Sequence, residues 1–229
     1  MPATAPQRQP GAACAWFADP AGRALLDVAG QRLALALEAR PQTARLWCVP
    51  ADGLARERCG ARGLVLHPVA AGGFSGSLRC RVPLPMASES FGDVAVLFPE
   101  TLGHEARGLF EECARVLLPG GRLWLCALNP FSPYRQRWRG TGLHAHPVSR
   151  WRARLRAAGL SDADGGRALR FGPGWRIGPG RDGARLGAVR MLVMEKRVAA
   201  LIPPARIEPA RWPAPLPAGL APLFRETGK

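Results

Sequence analysis

Lysine is nearly absent from this chain: the only two are Lys196 and Lys229, although lysine and arginine together number 32 against 17 acids. The net charge of +15 is therefore carried by arginine. Two readings compete. A strong positive balance fits a polyanionic partner such as nucleic acid. The compositional bias of a GC-rich genome enriches arginine, alanine, glycine and proline together, and this chain is rich in all four. The arginines are scattered along the sequence rather than massed on one element, which favours the second reading, so specific nucleic-acid binding is not expected. Cysteine is present, but no two of Cys14, Cys48, Cys59, Cys80, Cys113 and Cys126 have C-x-x-C spacing. Cys48, Cys113 and Cys126 sit in apolar runs, so buried free thiols in a reducing compartment are expected. The four histidines form no H-E-x-x-H pattern, and the pair His144 and His146 has no cysteine or carboxylate close in sequence, so no metal is expected. The opening "MPATAPQRQP" lacks the apolar centre of a signal peptide. No apolar run approaches the roughly 20 residues that cross a bilayer. Together these absences place the expected location in the cytoplasm. Internal repeats are lacking as well.

What is present is enough for one sizeable core: 229 residues, of which 47% are hydrophobic. "WFADPAGRALLDVAGQRLALALEARP" carries a helix-start signal, with Asp19 placed to cap and Pro20 suited to the first helical position. Leu26, Ala29, Leu33 and Leu37 then share one face up to the stop at Pro41. "ARLWCV" (44–49), "GLVLHP" (63–68) and "GDVAVLF" (92–98) read as buried strands. Between the first two there is room only for a short helix. "AAGGFSG" (70–76) reads as a loop and "SLRCRVPLP" as a weak alternating strand. "HEARGLFEECARVL" is the most regular helix, with Ala106, Leu109, Phe110, Cys113, Val116 and Leu117 on one face and Glu111 spaced to pair with Arg115.

The tight cluster of breakers in "CARVLLPGGRLWLCALNP" has a structural reading. Pro119 ends the helix, the two glycines permit a sharp return, and "RLWLCAL" leaves as a strand that does not alternate. Strands apolar on both faces belong to parallel sheets covered by helices on both sides. Helix, turn and strand thus complete a crossover begun by residues 92–98. A further amphipathic helix, "PVSRWRARLRAAGL", presents Val148, Trp151 and Leu155, and Gly159 can cap it. "RALRFGP" and "GAVRMLVMEKRV" read as a closing antiparallel pair. The expected architecture is a single Rossmann-like α/β domain: a doubly wound, mostly parallel sheet with an antiparallel closing strand. Residues 1–15 are expected to be a flexible arm, 16–198 the domain, and 199–229 a disordered tail rich in proline and alanine.

Two segments resemble a known family. "LPMASESFGDVAVLFPETL" resembles the pattern LPF-x-D-x-SFD-x-V-x-x-x-x-x-L, and "ECARVLLPGGRLWLCALNPFS" resembles E-x-x-RVL-x-PGG-x-L-x-x-x-x-NP-x-S. Both patterns are those of the class I S-adenosylmethionine-dependent methyltransferases. "WFADPAGRALL" and "NPFS" are similar to a small bacterial branch related to the quinone C-methyltransferases. The resemblance spans about residues 16–198 and implies a methyl transfer from S-adenosylmethionine to an acceptor that the sequence does not name, expected to be a small molecule.

The resemblance also implies where the cofactor lies: across the ends of the first, second and fourth strands, against Val49, Ala51, Asp52 and Gly53 and near Pro99. Here the sequence departs from the family. The first strand is followed by Val49-Pro50-Ala51-Asp52-Gly53, with one glycine, and Pro50 has no amide hydrogen to donate. The second strand offers His67 where the family has a ribose-holding acid, and the third offers Ser77 and Arg79. The family's H-x-L-E stands as Glu100-Thr101-Leu102-Gly103. Either backbone and apolar contacts hold the cofactor, or the chain is a catalytically inactive scaffold of the same fold. Beyond the fifth strand, Asn129 either orients a substrate or closes a local turn. Ser132, Tyr134 and Arg135 follow in a loop where Arg135, Arg137 and Arg139 surround Trp138. That loop reads either as a lid for an anionic or aromatic substrate or as a solvated basic loop.

Overall fold

The computed structural model describes residues 10–40, 43–51, 63–70, 72–103, 105–174 and 186–197. All of them fall in one compact unit, Met1–Val198. The expected tail, the short helix after the first strand, Asp52 and Gly53 lie outside the described residues.

The described chain begins with a short helix, α1 (Pro10–Ala15), inside the stretch read as a loose arm. A 3₁₀ turn (Trp16–Ala18) leads into α2 (Pro20–Glu38). Pro20 takes the first helical position as expected. Asp19 does stand at the cap, but its side chain makes no capping bond; its carbonyl accepts from the Arg23 amide at 2.8 Å instead. The strands are β1 (Arg45–Cys48), β2 (Gly63–Pro68), β3 (Phe74–Gly76), β4 (Phe91–Leu97) and β5 (Leu117–Leu128), with α3 (Ala106–Val116) between the last two. α4 (Val148–Ala157), β6 (Ser161–Asp162), β7 (Leu169–Phe171) and β8 (Val189–Glu195) complete the described order.

The sheet runs β3-β2-β1-β4-β5-β8-β6, with β7 also on β8. Its centre, β2-β1-β4-β5, is parallel, and β8 closes it antiparallel to β5. This is the doubly wound architecture expected. One core layer joins α2 to the sheet through Leu26, Ala29, Leu33 and Leu37; the other joins α3 and α4 to the opposite face through Leu109, Phe110, Trp151 and Leu155. Central strands covered on both sides explain why β4 and β5 are apolar without alternation. Asp93, buried within β4, accepts through Oδ1 from Arg40 Nε (3.1 Å) and Trp124 Nε1 (3.0 Å), tying β4 to α2's end and to β5.

Three local expectations need correction. The strand near residue 75 is Phe74–Gly76, not the segment after it; it pairs antiparallel with β2. A Cβ at Gly76 would lie 2.3 Å from the Val65 carbonyl, so glycine is what allows this approach. Phe74 and Cys80 bond reciprocally and turn the chain back, which leaves residues 77–85 irregular. Arg115 pairs with Glu112 (2.7 Å) rather than Glu111, because Glu112 also accepts from the Leu84 amide and Arg115 donates to the Leu84 and Met86 carbonyls. Glu111 is instead held by Arg107 at 3.1 Å. Finally, Leu-Pro-Gly-Gly is a bulge inside β5 rather than a turn before it: Leu117 is in register with Phe91, and Arg122 with Asp93. Gly120 has φ +73°, and a Cβ on Gly121 would stand 2.8 Å from the Leu118 carbonyl, so the two glycines answer different needs.

Leu109 is fully buried between α3 and the sheet. Leu109→Ala should lower unfolding free energy by about 2–5 kcal/mol in urea titration. A loss below about 1 kcal/mol would mean that α3 does not pack as described.

Candidate binding cleft at the carboxyl ends of the strands

β1 and β4 are neighbours, yet β1 connects outward to β2 and β4 outward to β5. Loops that diverge from adjacent strand ends leave a crevice between them, and ligands of open α/β sheets bind there. After β1, the Val49 amide continues the ladder by donating to the Leu66 carbonyl (2.9 Å); Val49 and Pro50 are buried and Ala51 is half-buried. After β4, Phe98 turns into the left-handed region (φ 52°, ψ 61°), and a 3₁₀ turn, Pro99–Thr101, follows. The Phe17 ring packs on Phe98 with centroids 4.8 Å apart, and Trp16 packs edge-on against Phe17. The segment ahead of α2 thus covers the end of β4.

Glu100 lies in that 3₁₀ turn and is buried. Its Oε1 accepts from the Leu128 amide at 2.9 Å, taking the place that a further β4 carbonyl would have held. Oε2 makes no hydrogen bond of normal geometry, although the Trp151 indole, itself without such a bond, lies near enough to favour the charged carboxylate. Burial pushes the carboxyl up from 4.5 to about 8, against the lowering effect of hydrogen bonds that include the Leu128 amide. The sequence signal for such a residue is an acid directly after an unbroken apolar strand, in "VAVLFPETL".

At the end of β5 the four expected substrate residues separate. Asn129 is fully buried; its Nδ2 donates to the Gly187 carbonyl (2.7 Å) and its Oδ1 accepts from the Phe131 amide (3.2 Å). Its turn-closing reading is the one the geometry fits. Ser132 Oγ donates to the Leu186 carbonyl (2.7 Å) and accepts from the Tyr134 amide, capping the 3₁₀ helix Pro133–Arg137. Tyr134 is buried, and its hydroxyl donates to the Ala21 carbonyl in α2 (3.0 Å). Only Arg135 is exposed, and it lines a cavity of about 650 Å³ with Gln136, Trp138, Arg139, Leu143 and His144. Asn129, Ser132 and Tyr134 therefore hold the loop in place, while Arg135 faces open space.

Among the described residues, no group of three or more His, Cys, Asp or Glu side chains is placed to hold a metal ion, and no helix is long and apolar enough to cross a membrane.

The same fold occurs in solved methyltransferases. One match is a complex between the Haloferax volcanii Trm112 methyltransferase activator and a putative methyltransferase; identity is 18%, 81% of this chain and 98% of that one are covered, and the TM-score is 0.55. A second is an S-adenosylmethionine-dependent methyltransferase from Thermotoga maritima, described as a possible histamine N-methyltransferase, with 16% identity, 80% and 94% coverage and a TM-score of 0.51. A third, the Burkholderia thailandensis 1,6-didemethyltoxoflavin-N1-methyltransferase with its substrate and S-adenosylhomocysteine bound, has 15% identity, 86% and 93% coverage and a TM-score of 0.51. No family profile matches the chain, and no curated protein matches it. The fold is that of the class I S-adenosylmethionine-dependent methyltransferases.

Two features at the strand ends fit such a cofactor. Val49 and Pro99, apolar and buried, and the half-buried Ala51 stand just beyond the ends of β1 and β4. His67, near the end of β2, has an Nδ1 that is buried close to Gly76 of β3 and has no hydrogen-bond partner among the described residues.

The raised Glu100 carboxyl makes a testable claim about stability. A folded carboxyl that titrates near pH 8, against 4.5 when exposed, binds its proton more tightly folded than unfolded. Its contribution is therefore full below about pH 4.5, declines as pH rises towards 8, and is level above, with a slope of at most about 1.4 kcal/mol per pH unit. Glu100→Gln keeps an acceptor for the Leu128 amide and cannot ionise. Urea midpoints between pH 5 and 8 should fall for the natural chain relative to Glu100→Gln, which should be the more stable of the two at pH 8. Parallel pH profiles would contradict the assignment.

Proposed function

We propose that this chain is an S-adenosylmethionine-dependent methyltransferase acting on a small-molecule acceptor in the cytoplasm, from a branch related to the quinone C-methyltransferases. The observation that carries the reading is the switch point between the neighbouring strands β1 and β4, whose chains leave in opposite directions, the place where open α/β sheets bind their ligands. Val49 and Ala51, continuing into Asp52 and Gly53, would hold the cofactor from the β1 side, and Pro99 from the β4 side. His67 would meet the ribose. Arg135, beyond β5, would face the acceptor. When bound, the cofactor supplies an electrophilic methyl group, so the protein's task is to align the acceptor's nucleophile with it and to keep water out; alignment alone accounts for a large part of such a rate. The packed aromatic cover of Trp16, Phe17 and Phe98 serves the second task. The "NPFS" and "WFADPAGRALL" segments support the branch assignment, and the free thiols Cys14, Cys48, Cys80, Cys113 and Cys126 are in keeping with a reducing compartment.

β2 ends without a carboxylate for the ribose hydroxyls. One charge-assisted hydrogen bond contributes about 1.5–3 kcal/mol, so cofactor affinity should be on the order of tenfold to a hundredfold weaker than where that acid is present. Calorimetric titration with S-adenosylmethionine and S-adenosylhomocysteine tests the reading. Binding should be measurable in the natural chain and abolished by Gly53→Leu, with melting curves showing both proteins folded. A folded natural chain that gives neither heat nor thermal shift at millimolar cofactor would instead be the catalytically silent scaffold.

A further inference from the structure

Between Cys113 and Ser161 the chain has nine arginines and no acidic residue. Several of the nine are neutralised locally: Arg115 pairs with Glu112, and Arg152 and Arg156 pair with Asp162. Arg135 and Arg139 have no carboxylate partner among the described residues. Each follows a buried aromatic, Tyr134 and Trp138, whose ring centroids lie 6.1 Å apart, and both arginines are exposed. Both line the 650 Å³ cavity, together with His144 of the same loop and the buried Trp138 and Leu143. That volume suits a small molecule.

The wall is held from several directions. The Tyr134 hydroxyl bonds to α2, and Trp16 Nε1 donates to the Arg137 carbonyl at 3.0 Å. Thr141 Oγ1 donates to the Trp138 carbonyl at 2.7 Å, and Gly140 and Gly142, both at φ +83°, let the chain fold back to form the rim. A solvated basic loop has no need of these anchors. A binding wall has, because guanidiniums fixed in advance lose less freedom when they meet a ligand.

We infer that Arg135, Arg139 and His144 form a binding site for the oxyanion group, a carboxylate or phosphate, of a small molecule. Two arginines lining one cavity offer it the planar, hydrogen-bonding forks that such groups accept. Gln136 adds an amide to the rim, and the loop lies directly beyond the end of β5, on the carboxyl side of the sheet. The role of that molecule as methyl acceptor rests on the function proposed above; the binding itself does not.

The test is a titration of the full chain with pyrophosphate and, separately, with phthalate, which distinguishes a phosphate from a carboxylate source. Arginine Nε resonances are followed by NMR. Saturable binding of at least one anion is expected, with shifts at Arg135 and Arg139. R135Q/R139Q should weaken it tenfold or more while its melting curve stays close to the natural chain's, both side chains being exposed. Arg150→Gln, on α4, should bind as the natural chain does. The site is overturned if neither anion binds at 10 mM, if the double variant binds unchanged, or if Arg150→Gln loses as much. It is overturned too if a short single-stranded RNA binds far more tightly than either anion and the double variant abolishes that binding. S-adenosylhomocysteine is titrated in parallel. Anion binding without it keeps the site and removes the methyltransferase reading; the reverse removes the site and keeps that reading.

Discussion

The bond from the Leu128 amide to the Glu100 carboxyl decides where the central strand pair ends and what lies beyond it. β4 stops at Leu97; the Phe98 amide still donates to the Cys126 carbonyl of β5, but Phe98 turns left-handed and its carbonyl accepts from Thr101 instead of from β5. β5 continues, and its last amide would have no partner inside the core. An unpaired buried amide is costly. Glu100 reaches back to satisfy it, and in doing so is itself desolvated and kept protonated over the neutral range. The next residue, Asn129, is held on the other side by the two residues that lead into β8: its amide donates to the Ala188 carbonyl and its side chain to the Gly187 carbonyl. The end of β5 is thus fixed between two elements, and the direction in which residues 130–144 leave the sheet follows from that.

The segment beyond is organised by its buried side chains. Tyr134 and Trp138 join Trp16, Phe17 and Phe98 in one core layer above α2. Aromatic residues bring large buried area with few rotatable bonds, which lets a loop with little regular structure keep one shape. The same cluster connects the cover over β4 to the basic wall beyond β5, so the two candidate binding regions are parts of one packed body. Their chemistry differs. The residues beyond the ends of β1 and β4, Val49 and Pro99, are apolar and buried, whereas the loop cavity is lined by exposed arginines.

Much of the fold was legible because it depends on patterns the chain repeats faithfully. The apolar faces of α2 and α3, the unbroken runs of β4 and β5, and Gly159 at the end of α4 each express one requirement, burial or a left-handed turn. What was not legible depended on partners distant in sequence. Glu112 rather than Glu111 holds Arg115 because residues 84–86 lie against that face of α3. Gly76 marks a strand because Val65 needs its surface clear. Asn129, Ser132 and Tyr134 were recognisable as polar groups near the strand ends, but whether they faced a ligand or the protein depended on Ala21, Leu186 and Gly187. Arg135 stayed free because no described acid comes near it.

The account's central claim is that a methyltransferase cofactor lies in the crevice between β1 and β4, beside the loop cavity. The most direct measurement is amide NMR of the full chain on addition of S-adenosylhomocysteine. The account predicts shifts concentrated at Val49, Ala51 and the Thr101 amide, extending to His67 at the end of β2, with Leu109 and the rest of α3 unmoved. Shifts absent at saturating ligand, or confined to residues 135–144, would contradict it.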